Sequence, residues 1–274
     1  MKMGAVRWPG RRALLRRAAL LTAGAAAGAV TFAETTRFTD RRLPLGGGPA
    51  SGTTGVGDQP PGDGGLRVVW RARTDRRQIA LTFDDGPAPQ WTPMVLDTLD
   101  RYRVPATFFL VGARVRAAAG LLRGRLDRHE VGNHTWAHHD LARMDADEIH
   151  RDLTRTHAVI AEVTGREPRL LRPPWGHLGG GTLHAAARLR YDVVLWSLQM
   201  RETAYPGDPA GHARHIVAGV RPGTILLAHD TGAATRLVAL HGLPAIIDGL
   251  RGRGFEFVTV SALLAGESPP RTPG

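Results

Sequence analysis

The chain has 274 residues, of which 42% are hydrophobic, so it can bury one sizeable core. It contains no cysteine, which excludes a disulfide framework, a thiolate metal site and a cysteine nucleophile. Any bound metal must therefore use histidine or carboxylate ligands. The formal charge is +11, but the arginines that supply it are scattered and not interleaved with aromatic residues, so we expect no nucleic-acid partner.

Residues 1–33 have the layout of an export signal. They carry Lys2 and five arginines with no acid, and a run of small apolar residues fills 18–33. The stretch at 10–16 resembles a twin-arginine signal. Loss of this segment would lower the formal charge from +11 to +5. We expect an exported protein, secreted or associated with the cell envelope, that contacts a membrane only if the signal remains as an N-terminal anchor.

Residues 34–65 are rich in glycine, proline, serine and threonine, which predicts a flexible linker because such a segment cannot bury enough apolar surface to order itself. We expect one catalytic domain at 66–265, a C-terminal tail at 266–274 and a monomeric protein.

From residue 66 onward, apolar runs alternate with helical patterns, which is typical of βα units around a parallel sheet. Strands are predicted at 78–83, 106–111, 169–171, 192–198, 224–228 and 255–260, with short pieces near Val68 and Val131. Apolar spacings of three and four predict helices at 92–102, 145–163, 182–190, 209–220 and 235–251. Asp145 followed by Glu148 is a capping-type helix start. The number and order of elements favour a (β/α) barrel over an open doubly wound sheet.

Polar side chains with catalytic chemistry follow several of these strands. They are Asp84 and Asp85, His134 and His138, Arg172, and His229. Because α/β barrels build their sites at the carboxyl ends of parallel strands, we expect these side chains to converge.

This set of side chains has the composition of a hydrolytic metal site. Asp84 and Asp85 place two carboxylates in one tight turn, and one of them needs a cation. His134 and His138 are four residues apart and share one face if the segment turns helically. Two histidines and one carboxylate leave an open position for water on a zinc-like ion.

The same residues resemble the motifs of a known family, the polysaccharide deacetylases of the NodB-homology type, also called carbohydrate esterase family 4. The segment 82–87 is similar to its first motif, 134–138 to its second, 172–176 to its third and 227–229 to its fifth. The resemblance runs from 78 to 264. It implies an α/β fold, a distorted (β/α)7–8 barrel, a divalent metal and removal of acetyl groups from N-acetylated sugars.

The resemblance also implies roles around the metal. Asp85, His134 and His138 would hold the metal, which polarises the acetyl carbonyl and acidifies a water molecule. We expect zinc from the ligand types, although cobalt or manganese would suit the same set. Asp84 would be the general base, and Arg172 would hold Asp84 in place.

Further roles concern the substrate. The backbone N–H of Trp175 would help to stabilise the tetrahedral oxyanion, and its ring would wall the pocket. Pro173 and Pro174 would fix that backbone beside the substrate. His229 would protonate the leaving amine, and Leu227 would line the acetate pocket.

The fourth motif of the family is the weakest match. Family members often carry aspartates and a second tryptophan after the position of Trp196, whereas this chain reads Ser-Leu-Gln-Met-Arg-Glu-Thr at 197–203. Glu202 is the nearest candidate for the aspartate that tunes the histidine acid. The alternative is that Arg201 and Glu202 are solvated loop residues, which is the commoner outcome for such residues. His139 and Asp140 follow the histidine pair directly, and we expect both to point away from the metal.

Together these features predict a metal-dependent hydrolase that removes N-acetyl groups from an extracellular polysaccharide. We favour peptidoglycan over a chitin-like N-acetylglucosamine polymer because export places the enzyme beside the envelope. The same site could instead act on O-acetyl esters or small amides. A different class of function is an inactive barrel kept for glycan binding.

Overall fold

The structure is a computed structural model in which residues 66–267 are described. The predictions for the export signal at 1–33, the linker at 34–65 and most of the tail at 266–274 lie outside this part of the chain. Glu267 still belongs to the folded domain, because its carboxylate accepts hydrogen bonds from the side chain of Arg67 at 3.1 Å and from the backbone N–H of Arg73 at 3.2 Å.

Strands and helices alternate along the described chain. The strands are β1 (Val68–Val69), β2 (Gln78–Asp84), β3 (Thr107–Leu110), β4 (Glu130–Asn133), β5 (Leu170–Leu171), β6 (Asp192–Val194), β7 (Leu198–Gln199), β8 (Ile225–His229) and β9 (Glu256–Val258). The helices are α1 (Thr92–Tyr102), α2 (Gly112–Ala117), α3 (Ala146–Thr164), α4 (Gly180–Arg188), α5 (Pro209–Gly219), α6 (Leu237–Gly252) and α7 (Val260–Ala265). The predicted βα alternation is confirmed.

The nine described strands form one sheet in the order β1-β6-β5-β4-β3-β2-β8-β7, and β9 pairs with the start of β2. Every ladder between these strands is parallel. Parallel strands place all their carboxyl ends at one edge of the sheet. The architecture is an α/β half-barrel with helices around it, as the sequence predicts.

The predicted strand at 192–198 is wrong in one respect, because the chain forms two short strands there. β6 pairs with β1 and β5, whereas β7 pairs with β8 at the far end of the sheet order. Between them, the backbone carbonyls of Val194 and Leu195 accept hydrogen bonds from the buried guanidinium of Arg172 at 3.0 and 2.9 Å. The segment therefore connects the two ends of the sheet, which accounts for the distortion of the barrel.

Side-chain alternation along β2 separates the core from the site. Ile79, Leu81 and Phe83 pack into the largest apolar cluster, against the helices. Successive strand residues point to opposite faces, so Thr82 and Asp84 lie on the inner face. The apolar packing of one face thus fixes which face carries the polar residues.

Both ends of α3 have clear physical causes. The Asp145 side chain accepts a hydrogen bond from the N–H of Glu148 at 2.8 Å, and the Glu148 carboxylate accepts one from the N–H of Asp145 at 2.9 Å. This capping box confirms the predicted start. Gly165, with φ of 68°, ends the helix in the left-handed region that glycine adopts without strain.

Two short helices were not predicted. α2 follows β3 directly, and α7 begins inside the predicted strand at 255–260. That strand stops at Val258, because the Thr259 side chain accepts a hydrogen bond from the N–H of Ala262 at 3.3 Å and starts a helix instead. Among residues 66–267, no helix combines the length and apolar character needed to span a bilayer.

Candidate active site

The ends of β2 and β8 bring two of the predicted residues side by side. Asp84 is the last residue of β2 and pairs in register with His229, the last residue of β8. Asp85 follows with a φ of 76°, an unfavourable value for a residue with a side chain. Backbone strain of this kind costs about 1–3 kcal/mol and is concentrated at functional sites.

Arg172 fixes the Asp84 carboxylate. One guanidinium nitrogen donates to Asp84 Oδ1 at 2.7 Å and to the Thr82 hydroxyl oxygen at 2.7 Å. Thr82 donates in turn to the backbone carbonyl of Leu226 at 2.8 Å. Arg172 is fully buried and Asp84 is 3% exposed, so this ion pair is sealed from water and held by neighbours on both sides.

The two histidines meet across a tight turn, not across a helical turn. The segment after β4 bends at Thr135 and His138, whose φ values are 68° and 58°. Asn133 braces the turn by accepting a hydrogen bond from the Thr135 N–H at 3.0 Å, and Asp152 of α3 accepts one from the Trp136 N–H at 2.7 Å. We expected His134 and His138 to share one face if this segment were helical. The segment instead forms a turn that these hydrogen bonds hold in place.

The three predicted metal ligands lie together. Asp85 Oδ1 is 3.3 Å from His134 Nε2 and 3.1 Å from His138 Nε2. One donor atom from each of the three residues lies within 4.8 Å of the others. His134 donates its Nδ1 proton to the backbone carbonyl of Arg172 at 2.6 Å, which leaves the Nε2 lone pair facing the cluster. The donor set and this tautomer fit a divalent metal such as zinc.

The charges of this cluster are strongly coupled. Burial alone would raise the pKa of Asp85, but hydrogen bonds from His134 and His138 hold it well below its usual range. Burial acts to lower the pKa of His134, yet Asp84 and Asp85 together raise it above the usual value. A cation is thus favoured at this position, and a metal that binds there must displace a proton from His134.

His229 has an acidic neighbour from the fourth-motif segment. Glu202 Oε1 lies 3.5 Å from His229 Nδ1, which is long for a hydrogen bond. Burial favours the neutral form of Glu202, but the interaction with His229 outweighs it and lowers the pKa of Glu202. The structure therefore places this glutamate beside the histidine, and not in solvent.

The segment after β5 carries the exposed ring of the site. Trp175 is 57% exposed, has a φ of 56° and packs edge-on against His138, with ring centroids 4.3 Å apart. Pro173 and Pro174 are buried, so they shape the loop and offer little surface to a ligand. Leu227 is 5% exposed and lies two residues before His229, on the same face of β8.

Three residues of the site were not predicted. Thr82 could have been found, because it lies two residues before Asp84 and so shares its face. Arg236 reaches Asp85 Oδ2 at 3.4 Å from a distant loop, for which the sequence offers no signal. Asp230, directly after His229, is fully buried and accepts a hydrogen bond from Thr92 at 2.5 Å. Burial raises the pKa of Asp230 to about 7.

His139 and Asp140 lie outside the three-residue cluster, in agreement with the expectation. His139 Nδ1 pairs with Asp152 at 2.6 Å, and Asp140 pairs with His177 Nδ1 at 3.1 Å.

Comparison with known proteins gives a consistent set of relatives. The polysaccharide deacetylase family model matches residues 71–194. A peptidoglycan-N-acetylglucosamine deacetylase of Bacillus cereus is 36% identical over 200 residues, covering 72% of this chain and 92% of the relative. A chitooligosaccharide deacetylase of a Bradyrhizobium strain is 38% identical, covering 66% and 87%. Against a peptidoglycan-N-acetylglucosamine deacetylase of Listeria monocytogenes, 35% identical, the chain spans 40% of the relative's length.

Solved structures agree with the fold. A peptidoglycan N-acetylglucosamine deacetylase in complex with a hydroxamate-type benzamide superposes with a TM-score of 0.68 at 28% identity, covering 74% of this chain and 95% of that one. An acetyl xylan esterase of Clostridium thermocellum in complex with cobalt superposes with a TM-score of 0.63 at 34% identity, covering 70% of this chain and 93% of the esterase.

A third similar structure is that of a mutant of a family 4 pseudoenzyme from Bacillus anthracis in which activity is restored. It superposes with a TM-score of 0.67 at 25% identity, covering 77% of this chain and 74% of that one. The chain belongs to the polysaccharide deacetylase family, carbohydrate esterase family 4.

Proposed function

We propose that this protein is an exported, metal-dependent N-deacetylase of an extracellular glycan, with peptidoglycan preferred over a chitin-like N-acetylglucosamine polymer. The observation that carries the proposal is the cluster of Asp85, His134 and His138 beside an Asp84 carboxylate locked by Arg172. Relatives that deacetylate peptidoglycan or chitooligosaccharides support the reaction type. Export rests on residues 1–33 and is part of the proposal.

Asp85, His134 and His138 would hold the metal. When bound, a divalent ion would polarise the acetyl carbonyl and make the attacking water more acidic. Zinc suits two imidazoles and a carboxylate, and cobalt or manganese would fill the same set.

Asp84 takes the proton of the attacking water. Its Oδ1 is bound to Arg172 at 2.7 Å, while Oδ2 lies 3.9 Å from His134 Nε2 and so faces the cluster. A carboxylate that cannot rotate keeps Oδ2 aimed at the reacting water, which is the requirement for an efficient general base.

His229 supplies the proton that the leaving nitrogen needs. An amide nitrogen leaves as an amine only if it is protonated as the bond to the acetyl carbon breaks. His229 stands beside Asp84 in the adjacent strand, and Glu202 faces its Nδ1, which leaves Nε2 for the substrate. Water plus the N-acetyl sugar thus gives acetate plus the free amine, with one proton moved by each residue.

Trp175 and Leu227 would shape the pocket. Within residues 66–267 the backbone N–H of Trp175 donates to no backbone carbonyl, so it is free to donate to the oxyanion of the tetrahedral intermediate. Leu227 lies on the His229 face of β8, where it would line a space of the size of a methyl group. Pro173 and Pro174 would hold the loop in this shape.

The proposal is tested by the acetate released from N-acetylglucosamine oligomers, peptidoglycan and acetylated xylan by the purified protein. An Asp84→Asn variant, which keeps the shape of the side chain and removes the base, is the matched control. We expect acetate from the N-acetylated glycans, and a loss in the variant of about 100-fold or more.

Other outcomes would redirect the assignment. Release from xylan alone would favour the ester-hydrolysing reading, which the 34% identical acetyl xylan esterase makes the leading alternative. Tight glycan binding with no release from any substrate would favour the inactive glycan-binding barrel.

A further inference from the structure

A cavity of about 560 Å³ opens beside the candidate active site. It lies between the 3-10 turn at Leu141–Arg143 and one face of α3. Glu148, Arg151 and Asp152 of α3 line it, and these positions share a helix face because they are three and four residues apart. The opposite wall includes Arg143, with Met144 as its apolar part.

A series of neighbouring residues links the cavity to the site. His139, which lines the cavity, follows the candidate ligand His138 in the chain. Asp140, another lining residue, pairs with His177 at 3.1 Å. The ring of His177 lies 5.9 Å from the exposed ring of Trp175, which packs on His138. A polymer whose acetylated sugar sits at His138 would therefore extend its neighbouring unit toward this cavity.

Each acid of the cavity has a hydrogen-bond or ion-pair partner. Asp152 accepts from the Trp136 N–H and pairs with His139. Asp140 accepts from the Ala142 N–H at 3.2 Å besides its contact with His177. Glu148 is used in the capping box of α3.

The arginines of the cavity, unlike its acids, are left to bind a ligand. Arg143 and Arg151 are both exposed, and among residues 66–267 neither guanidinium forms an ion pair with a carboxylate. The cavity therefore presents two guanidinium groups to a ligand. The planar N–H donors of a guanidinium match the two oxygens of a carboxylate.

We propose that this cavity is a subsite for a carboxylate carried by the unit next to the deacetylated sugar, so that the protein binds an anionic glycan more tightly than a neutral one. This rests on the proposed function and narrows it. Peptidoglycan has such a carboxylate on the lactyl group of its N-acetylmuramic acid units, or, where a peptide is attached there, on the peptide. A chitin-like polymer has none.

The test compares the double variant Arg143→Gln/Arg151→Gln with the parent protein. Three soluble ligands are used: an N-acetylglucosamine tetramer, a peptide-free oligomer of alternating N-acetylglucosamine and N-acetylmuramic acid, and the same oligomer carrying peptides. Calorimetry gives the Kd of each, and acetate release gives KM and kcat. The matched control is Arg188→Gln/Arg214→Gln, which removes the same charge from exposed positions on α4 and α5.

We expect the double variant to weaken Kd and raise KM for an anionic ligand by about 10-fold, or about 1.4 kcal/mol, because both guanidiniums are exposed and solvent weakens their interaction with a carboxylate. The neutral tetramer and the control variant should show no change. A loss confined to the peptide-bearing oligomer would identify the peptide carboxylate, and a loss on the peptide-free oligomer would identify the lactyl carboxylate.

An unchanged Kd for both anionic ligands, or an equal loss on the neutral tetramer, would overturn the subsite. The binding measurement separates this result from a failure of the proposed function. If no ligand releases acetate but the arginine-dependent preference for anionic ligands holds, then the subsite stands and the deacetylase proposal fails.

Discussion

Arg172 is a buried cation that is stable only because its acceptors surround it. Burial acts to lower the pKa of its guanidinium, and the carboxylate of Asp84 opposes that effect. Thr82 and the backbone carbonyls of Val194 and Leu195 accept the remaining hydrogen bonds. An unpaired charge at this depth would be strongly destabilising. The same contacts that satisfy the guanidinium also fix the candidate base, so packing and catalysis use one set of bonds.

The charge of Glu202 provides a prediction at the residue scale. Glu202→Gln keeps the shape of the side chain and removes the charge that faces His229 Nδ1. We expect kcat for an N-acetylglucosamine oligomer to fall about 10-fold to 100-fold with KM nearly unchanged, because proton transfer to the amine is impaired. Hydrolysis of 4-nitrophenyl acetate should be little affected, since nitrophenolate leaves without a proton.

Glu162→Gln, on the exposed side of α3, is the control for this substitution. Equal losses of kcat on the amide and on the aryl ester would show that Glu202 acts through the structure of the loop and not through the proton transfer.

The sequence predicts the strand-end residues of the site because each directly follows an apolar run. Asp84, Asp85 and His229 are of this kind. Glu202 could only be named as a candidate, because its position depends on how the chain turns after β7. Arg236 could not be found at all, since a loop contact over 151 residues has no local pattern.

At the scale of elements, α3 acts as a brace for the histidine turn. Its Asp152 accepts from the Trp136 N–H at 2.7 Å, and its Leu153 carbonyl accepts from the Asn133 side chain at 2.9 Å. Both contacts lie in the second turn of the helix or beyond, away from the capping box at Asp145.

Because the capping box lies apart from these bracing contacts, we expect a substitution at the start of α3 to lower stability and leave activity unchanged. Asp145→Ala removes the side-chain acceptor of the capping box and should cost about 1 kcal/mol of unfolding free energy, or about 2–4 °C in Tm. We expect kcat to stay unchanged because Asp152 keeps its place. Thermal melting and acetate release check the two parts.

The control is Asp147→Ala, which removes an exposed acid from the same first turn without touching the cap. Equal losses of stability in the two variants would mean that the capping box contributes nothing beyond the charge of its acid. A fall in kcat for Asp145→Ala would mean that a change at the start of α3 alters the geometry of the site.

Element boundaries show what local patterns can and cannot determine. The helix at 92–102 was predicted with its observed bounds, since its apolar spacing is regular and amphipathic. The single strand at 192–198 was wrong, because the chain changes strand partners there and Arg172, 22 residues away in the sequence from Val194, hydrogen-bonds to backbone carbonyls of this segment. Hydrophobic periodicity indicates which face of a strand or helix is buried. It carries no information about a side chain elsewhere in the chain that hydrogen-bonds to the backbone carbonyls of a strand.

At the scale of the whole molecule, the site depends on the parallel sheet. Four strands, β2, β4, β5 and β8, end at a residue of the site or directly before one, and β7 ends three residues before Glu202. The carboxyl ends of these parallel strands share one edge of the sheet. Alternation along β2 and β8 then turns the polar side chains inward while the apolar ones pack against helices. The side-by-side order of β2 to β6 is what βα alternation favours, whereas the positions of β1, β7 and β8 in the sheet and the connection through 192–199 have no signal in the sequence.

The central claim is that Asp85, His134 and His138 hold a divalent metal that the reaction requires. The most direct measurement removes metal from the protein with a chelator, adds zinc back in steps, and follows bound zinc by elemental analysis together with acetate release. Asp85→Asn is measured in parallel. We predict no acetate from the stripped protein, recovery that saturates at one zinc per chain, and neither tight zinc binding nor recovery in the variant. Full acetate release with no metal bound, or zinc binding that survives Asp85→Asn unchanged, would contradict the account.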